Sequence, residues 1–93
     1  MRRSSEGYSV KLIGEYVGID DTFHPVVLTN LGPQYCVASQ CAEALVTGAR
    51  VSLWIGALGP WPAHVAEASR SSLRLKFDAP LEPAVLRHFG CFH

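Results

Sequence analysis

The sequence predicts an all-β fold, a small six-stranded antiparallel β-barrel followed by a short C-terminal α-helix. Apolar and polar residues alternate in several short runs, which is the pattern of strands with one buried face. Clusters of Gly, Pro, Asn and Asp separate these runs and indicate turns. With 93 residues, the chain suffices for one domain with a modest core. We therefore expect a single domain over 1–93, with a flexible N-terminal arm over 1–7, the barrel over 8–77 and the helix over 81–90.

Three strands are predicted in the first part of the chain. The first covers residues 8–16, and Gly14 within it indicates a bulge or a sharp bend. Its apolar side chains share one face, namely Tyr8, Val10, Leu12 and Tyr16. A turn rich in Gly and Asp leads to a β-rich run over 25–29, and a third short strand covers 35–38. Residues 40–47 are too few for a stable helix, so we interpret them as a connection.

The clearest alternation lies in the second part of the chain. Residues 50–55 and 73–77 predict two strands, and a third strand over 61–66 follows a turn over 56–60. Pro62 indicates an edge position or a strand start, because proline cannot donate a ladder hydrogen bond. The predicted core consists of the inward-facing apolar residues Val10, Leu12, Val27, Val51, Leu53, Ile55, Val65, Leu73, Leu75 and Phe77.

The last element has helical spacing. Leu81, Val85 and Phe89 recur every four residues, so we expect them to pack the helix on the barrel. Pro83 suits a first helical turn, and Gly90 suits a helix end.

The composition restricts the class of protein. Eight Lys and Arg balance eight Asp and Glu, and this neutrality disfavours whole-surface binding of nucleic acid or membrane. No apolar run is long enough to cross a bilayer, and no apolar segment follows the basic pair Arg2-Arg3, so we expect no membrane insertion. The three cysteines are an odd number without a disulfide pattern. These features predict a cytoplasmic protein.

The candidate metal ligands lack the spacing of a metal site. Cys36 and Cys41 are separated by four residues, and Cys91, His93 and nearby His88 form no tight pair. Zinc sites commonly combine close pairs of Cys or His, so we expect no metal.

The sequence also gives little support for a catalytic site. Cys36 or Cys41 with His64 could in principle form a nucleophile and base, but nothing local supports an oxyanion site. Asp20 and Asp21 are typical of a solvated turn. We therefore expect no catalytic residues and no enzyme activity.

A nucleic-acid surface built on the scattered basic residues of a small barrel is an alternative, but it lacks an aromatic stacking platform. These basic residues are Arg50, Arg70, Arg74 and Lys76.

Three segments resemble the PilZ domain, a family of small β-barrels that bind the bacterial second messenger cyclic di-GMP. They are 48–55, 59–65 and 73–81, in which a Gly opens a mid-domain strand and a final strand ending in Phe precedes the C-terminal helix. The resemblance covers nearly the whole chain. It implies a PilZ-like split barrel and a non-catalytic module of cyclic di-GMP signalling without a cofactor.

The first ligand motif of the family is Arg-x-x-x-Arg in the N-terminal arm. Arginine suits this role because its planar fork binds phosphate and stacks on purines. Here Arg2 and Arg3 are present, but Glu6 and Gly7 stand four residues after them. The second arginine is therefore lost.

The second family motif is Asp/Asn-x-Ser-x-x-Gly at a turn between early strands. It aligns on the turn that begins at Asn30, where Asn30 matches, Gly32 replaces the Ser and Tyr35 replaces the final Gly. Losing one Arg contact and one Ser contact removes ~3–5 kcal/mol of binding free energy, or two to four decades of affinity. The resemblance thus implies a degenerate member that binds cyclic di-GMP weakly or not at all.

Degenerate members of the family are thought to act as adaptors on signalling or motility proteins. The candidates for protein contact are Tyr35, Trp54 and Trp61, because exposed aromatic residues are enriched at interface hot spots. The alternative for a Trp is a cap on the barrel core.

A working receptor is the alternative function. It would use Arg2, Arg3, Asn30 and Gly32, with Arg70 or Arg74 supplying the lost charge, and the arm would order over the phosphates. A small nucleic-acid-binding barrel is the second alternative.

Overall fold

A computed structural model describes residues 8–39 and 45–90. The N-terminal arm, with Arg2 and Arg3, and part of the predicted 40–47 connection lie outside these residues. The described elements are β1 (Tyr8–Val17), β2 (Phe23–Leu31), β3 (Tyr35–Ser39), β4 (Arg50–Ile55), β5 (Leu58–Ala68), β6 (Ser72–Phe77) and α1 (Pro83–His88).

The six strands form a closed antiparallel barrel in the order β1-β2-β3-β6-β5-β4. Closure results from pairing of β1 with both β2 and β4, and in the β1–β4 ladder Tyr16 lies opposite Leu53. This confirms the predicted fold class.

The barrel interior is filled by the inward faces of all six strands and by Leu81. Tyr16 is the largest fully buried side chain, and no polar or charged residue is buried among the described residues. The predicted β1 residues Val10 and Leu12 pack only partly buried against this core, and Val27 is wrong as a core residue. The neighbouring residues Val26 and Leu28 face inward instead. The fully formed core consists of Tyr16, Val26, Leu28, Leu31, Cys36, Ala38, Val51, Leu53, Ile55, Ala63, Val65, Leu73, Leu75, Phe77 and Leu81.

Three local predictions need correction. The register shift of β1 lies between Ser9 and Leu12, whereas pairing continues without interruption through Gly14. β5 begins at Leu58 rather than at residue 61, because the turn after β4 takes up only two residues and the chain then returns along β4. Pro62 therefore lies inside β5 rather than at a strand start or an edge: it pairs with Ser52 of β4, and its carbonyl accepts a hydrogen bond from the Asp78 N–H at 2.9 Å on the other side.

The helix is shorter than the predicted 81–90. Pro83 lies at its start, and Arg87 and His88 lie in its last turn, where positive charge suits the helix dipole. Its residues Val85 and Leu86 and the following Phe89 are partly buried against the core. No helix within the described ranges 8–39 and 45–90 is long and apolar enough to span a membrane.

Candidate functional site

The turn between β2 and β3 carries the candidate ligand residues of the sequence. Asn30 lies opposite Ser9 on one side and Val37 on the other, on the outer face of the barrel. Gly32 is buried, and its N–H donates a hydrogen bond to the carbonyl oxygen of Tyr35 at 2.9 Å. Because Tyr8 pairs with Leu31, the chain enters β1 beside this turn.

Backbone hydrogen bonds from the C-terminal part of the chain hold this turn. The Phe77 N–H donates to the Gln34 carbonyl at 2.8 Å, and the Leu81 N–H donates to the Pro33 carbonyl at 2.7 Å. The turn is therefore fixed to β6 and to the segment that leads into the helix.

An aromatic and basic surface lies next to the turn. It consists of the outward side chains Asn30, Tyr35, Val37, Arg74 and Lys76, which we call the Tyr35 surface. The Arg74 guanidinium lies 4.3 Å from the Tyr35 ring centroid, and the Lys76 ammonium lies 6.0 Å from it. Both distances are within the range of cation–π attraction.

Strand register brings this surface together. Val37 pairs with Asn30 on one side and with Arg74 on the other, so Asn30 and Arg74 are two strands, or roughly 10 Å, apart. Tyr35 pairs with Lys76 in the next row. The basic strand thus has an aromatic neighbour that the sequence analysis missed, because Tyr35 comes from another strand.

Carboxylates of the chain itself neutralise much of the basic charge. A Glu67 carboxylate oxygen lies 3.7 Å from an Arg74 guanidinium nitrogen. Arg50 forms an ion pair with Asp78, and His64 Nδ1 lies 3.6 Å from the same carboxylate. An anionic ligand at this face would compete with these groups.

The two arginines proposed to replace the lost motif charge differ in position. Arg74 shares a row with Asn30. Arg70 lies in the turn between β5 and β6, at the end of β6 where Ser72 pairs with Ser39. That end is opposite to the β2–β3 turn, so Arg74 and not Arg70 is placed to assist Asn30.

A shallow depression adjoins Arg74. Its volume is about 500 Å³, and its lining includes Thr47, Glu67, Ser69 and Ser72. It extends from the Tyr35 surface along β6 toward the β5–β6 turn, and its wall mixes polar and apolar side chains.

The two tryptophans occupy different environments. Trp61 lies opposite Leu53 and packs partly buried against the core, as the core-capping alternative expects. Trp54 points outward from β4, and its ring contacts that of Phe23 at a centroid distance of 5.2 Å. Trp54 thus lies far from the Tyr35 surface, on the β1 side of the barrel.

Cys36 is the cysteine that lies within the described residues, and its environment is that of a core residue. Cys36 is buried inside the barrel, and desolvation raises the pKa of its thiol to about 12. His64 lies on the outer side of the barrel wall, so these two side chains form no nucleophile–base pair. Cys41, Cys91 and His93 lie outside the described residues. Among those described, no group of three or more potential ligands could hold a metal ion.

Asp20 and Asp21 lie in the turn between β1 and β2. Asp20 accepts a hydrogen bond from the Thr22 backbone N–H, and this bond, with a smaller contribution from His24, lowers the pKa of Asp20. Asp21 has a positive φ of 59°, which Asp tolerates in turns.

In comparisons with known proteins, the sequence matches no protein-family model and no curated protein. Strand pairing and side-chain environment are therefore what favour the Tyr35 surface as the candidate functional site.

Proposed function

We propose that this protein is a PilZ-like, non-catalytic module of bacterial cyclic di-GMP signalling, with little or no nucleotide affinity. In this proposal it acts in the cytoplasm as an adaptor and contacts an acidic protein segment through the Tyr35 surface. The observation that carries the proposal is the Tyr35 ring held under Arg74 and opposite Lys76.

The geometry of the β2–β3 turn supports weak nucleotide binding. At Gly32 the motif hydroxyl is absent, and the N–H is already used by the Tyr35 carbonyl. Tyr35, at the position of the motif Gly, carries a ring where the family has no side chain. Arg74 is shared between that ring and Glu67. A nucleotide would have to break these contacts to recruit the guanidinium.

The same features suit a peptide ligand. A half-buried Tyr flanked by Arg74 and Lys76 combines a rigid aromatic contact with positive charge, which is typical of interface hot spots. A carboxylate of the partner would replace Glu67 at the guanidinium, so binding should weaken as salt rises.

The first test is a calorimetric titration of cyclic di-GMP into the full chain at low salt. We expect no saturable heat up to high-micromolar ligand. Saturable binding at low-micromolar concentration would overturn the adaptor proposal.

A working receptor is the second candidate, and the row Asn30–Val37–Arg74 favours it. It would use Arg2, Arg3, Asn30 and Gly32, with Arg74 in place of the lost arginine. If saturable heat is observed, Arg74→Gln should weaken it about tenfold or more, while Arg70→Gln should leave it unchanged.

The adaptor role has its own test. An immobilised chain should retain a specific partner from a lysate of its own bacterium, Tyr35→Ala should lose it, and Val46→Ala should retain it. Val46 is a matched exposed apolar residue outside the surface. Retardation of single-stranded DNA or RNA with a steep salt dependence would instead indicate a nucleic-acid-binding barrel.

A further inference from the structure

An apolar area covers the outer face of β1 and its two neighbours. Ile13 is 67% exposed and Phe23 is 53% exposed. In the β1–β2 ladder, Ile13 pairs with Val27 and Val17 pairs with Phe23. The residues of this area, which we call the Ile13 face, are Ile13, Val17, Phe23, Pro25, Val27 and Trp54.

The aromatic pair makes this area continuous across β1. Phe23 belongs to β2 and Trp54 belongs to β4, yet their ring centroids are only 5.2 Å apart. Both rings therefore lean over the strand that separates them. Contiguous exposed apolar area of this kind on a small domain marks an interaction surface rather than scattered single residues.

Two opposite charges on β1 lie on either side of Ile13. Lys11 and Glu15 are exposed, and each lies two residues from Ile13 along β1, Glu15 in the regular ladder and Lys11 in the register shift between Ser9 and Leu12. Neither forms an ion pair with another residue in the described part of the chain. One positive and one negative charge thus flank the apolar centre, one on each side of Ile13 along the strand.

We infer that the Ile13 face is a homodimer interface whose occupant is a second copy of this chain. A two-fold axis through Ile13, perpendicular to β1, packs β1 against β1 in antiparallel orientation. Lys11 of each copy then meets Glu15 of the other copy, as a self-complementary interface requires. A partner carrying one sign of charge would instead meet a like charge at either Lys11 or Glu15.

This interface is compatible with the proposed function and does not rest on it. In the closed order β1-β2-β3-β6-β5-β4, β6 lies directly across the barrel from β1. The dimer therefore leaves Arg74 and Lys76 open on its two outer sides, where each copy could bind its own ligand.

The inference is tested by sedimentation velocity over a concentration series of the full chain. We expect a monomer–dimer equilibrium. Ile13→Lys should weaken it more than tenfold, because two lysines would meet on the axis. Val46→Lys, which changes a 70% exposed residue off the face, should leave it unchanged. Circular dichroism melts verify that each variant folds.

Charge reversal distinguishes this register from other modes of association. Lys11→Glu and Glu15→Lys should each weaken the dimer about tenfold, because two attractive contacts become repulsive. The double variant should restore the wild-type dissociation constant to within about threefold.

A monomer up to high-micromolar concentration would overturn the inference. A dimer that tolerates Ile13→Lys, or one that the double charge reversal fails to restore, would overturn it equally. A negative result here leaves the nucleotide titration and the Tyr35→Ala experiment unaffected, so the two proposals fail separately.

Discussion

Gly14 of β1 faces the Trp54 carbonyl oxygen of β4 so closely that a Cβ at Gly14 would lie 2.7 Å from that oxygen. The residue is buried and pairs with Ile55, in the ladder that closes the barrel. A glycine is needed here because the opposing atom belongs to backbone and cannot rotate away. The close approach of the first and fourth strands therefore depends on the absence of one methyl group.

Gly14→Ala should lower the free energy of unfolding by ~1–3 kcal/mol, because one of the two strands must shift. Urea denaturation followed by tryptophan fluorescence measures this change. Gly18→Ala is the matched control, since a Cβ there meets nothing within 4 Å, and it should stay within ~0.5 kcal/mol of wild type. Equal stability of the two variants would contradict the close approach.

The contact between Tyr35 and Arg74 should appear as an energetic coupling. A double-mutant cycle with Tyr35→Leu and Arg74→Met is expected to give ~0.5–1 kcal/mol of interaction free energy, the range of a partly exposed cation–π pair. Tyr35→Phe keeps the ring and should keep most of the coupling. Additive single effects would indicate that the two side chains do not interact in solution.

Leu53 should be among the most sensitive core positions, since it is fully buried opposite Trp61. Leu53→Ala is expected to cost ~2–5 kcal/mol through lost burial and the cavity left behind. Leu58→Ala removes the same atoms from a 37% exposed position on the neighbouring strand and should cost clearly less. Thermal unfolding of both variants compares them directly, and the reverse order would contradict the barrel packing.

Cys36 should make the fold sensitive to alkaline pH. Burial raises the pKa of its thiol from 9.0 to about 12, so the unfolded chain releases this proton first as pH rises. The stabilisation is therefore complete below about pH 9 and is lost progressively between pH 9 and pH 12. Urea denaturation at pH 7 and at pH 10 should show a smaller loss of stability for Cys36→Ala than for wild type.

A second measurement isolates the same thiol. In a chain carrying Cys41→Ser and Cys91→Ser, the remaining Cys36 should react with a thiol reagent at pH 8 only after denaturant is added. Rapid labelling of the native chain would show that this thiol is accessible and would contradict its buried position.

The sequence predicts where part of the candidate site lies, but not which side chains the fold brings together there. The turn at Asn30 and Gly32 is predictable from local turn residues, because Asn and Gly favour such conformations on their own. The pairing of Val37 with Arg74, which puts Arg74 in the row of Asn30, is not predictable locally, because β3 and β6 are distant in sequence. Tyr35 lies between two basic residues only through that ladder.

The alternation of apolar residues by itself determined the strands, the inward face of most of them and the all-β barrel class. Period two is a local property, and burying one face of each strand is the largest favourable free-energy contribution to folding. Val27 shows the limit of this signal. In the run Val26-Val27-Leu28 every residue is apolar, so the sequence alone does not show whether Val27 or its two neighbours face inward.

Only the tertiary structure decided how the barrel closes and which outward residues meet. The β1–β4 ladder requires the close approach at Gly14, and it brings Phe23 and Trp54 together across β1. The β3–β6 ladder brings Tyr35 to Arg74. Such contacts depend on the register between strands far apart in the chain, which emerges from packing the whole core and not from any local pattern.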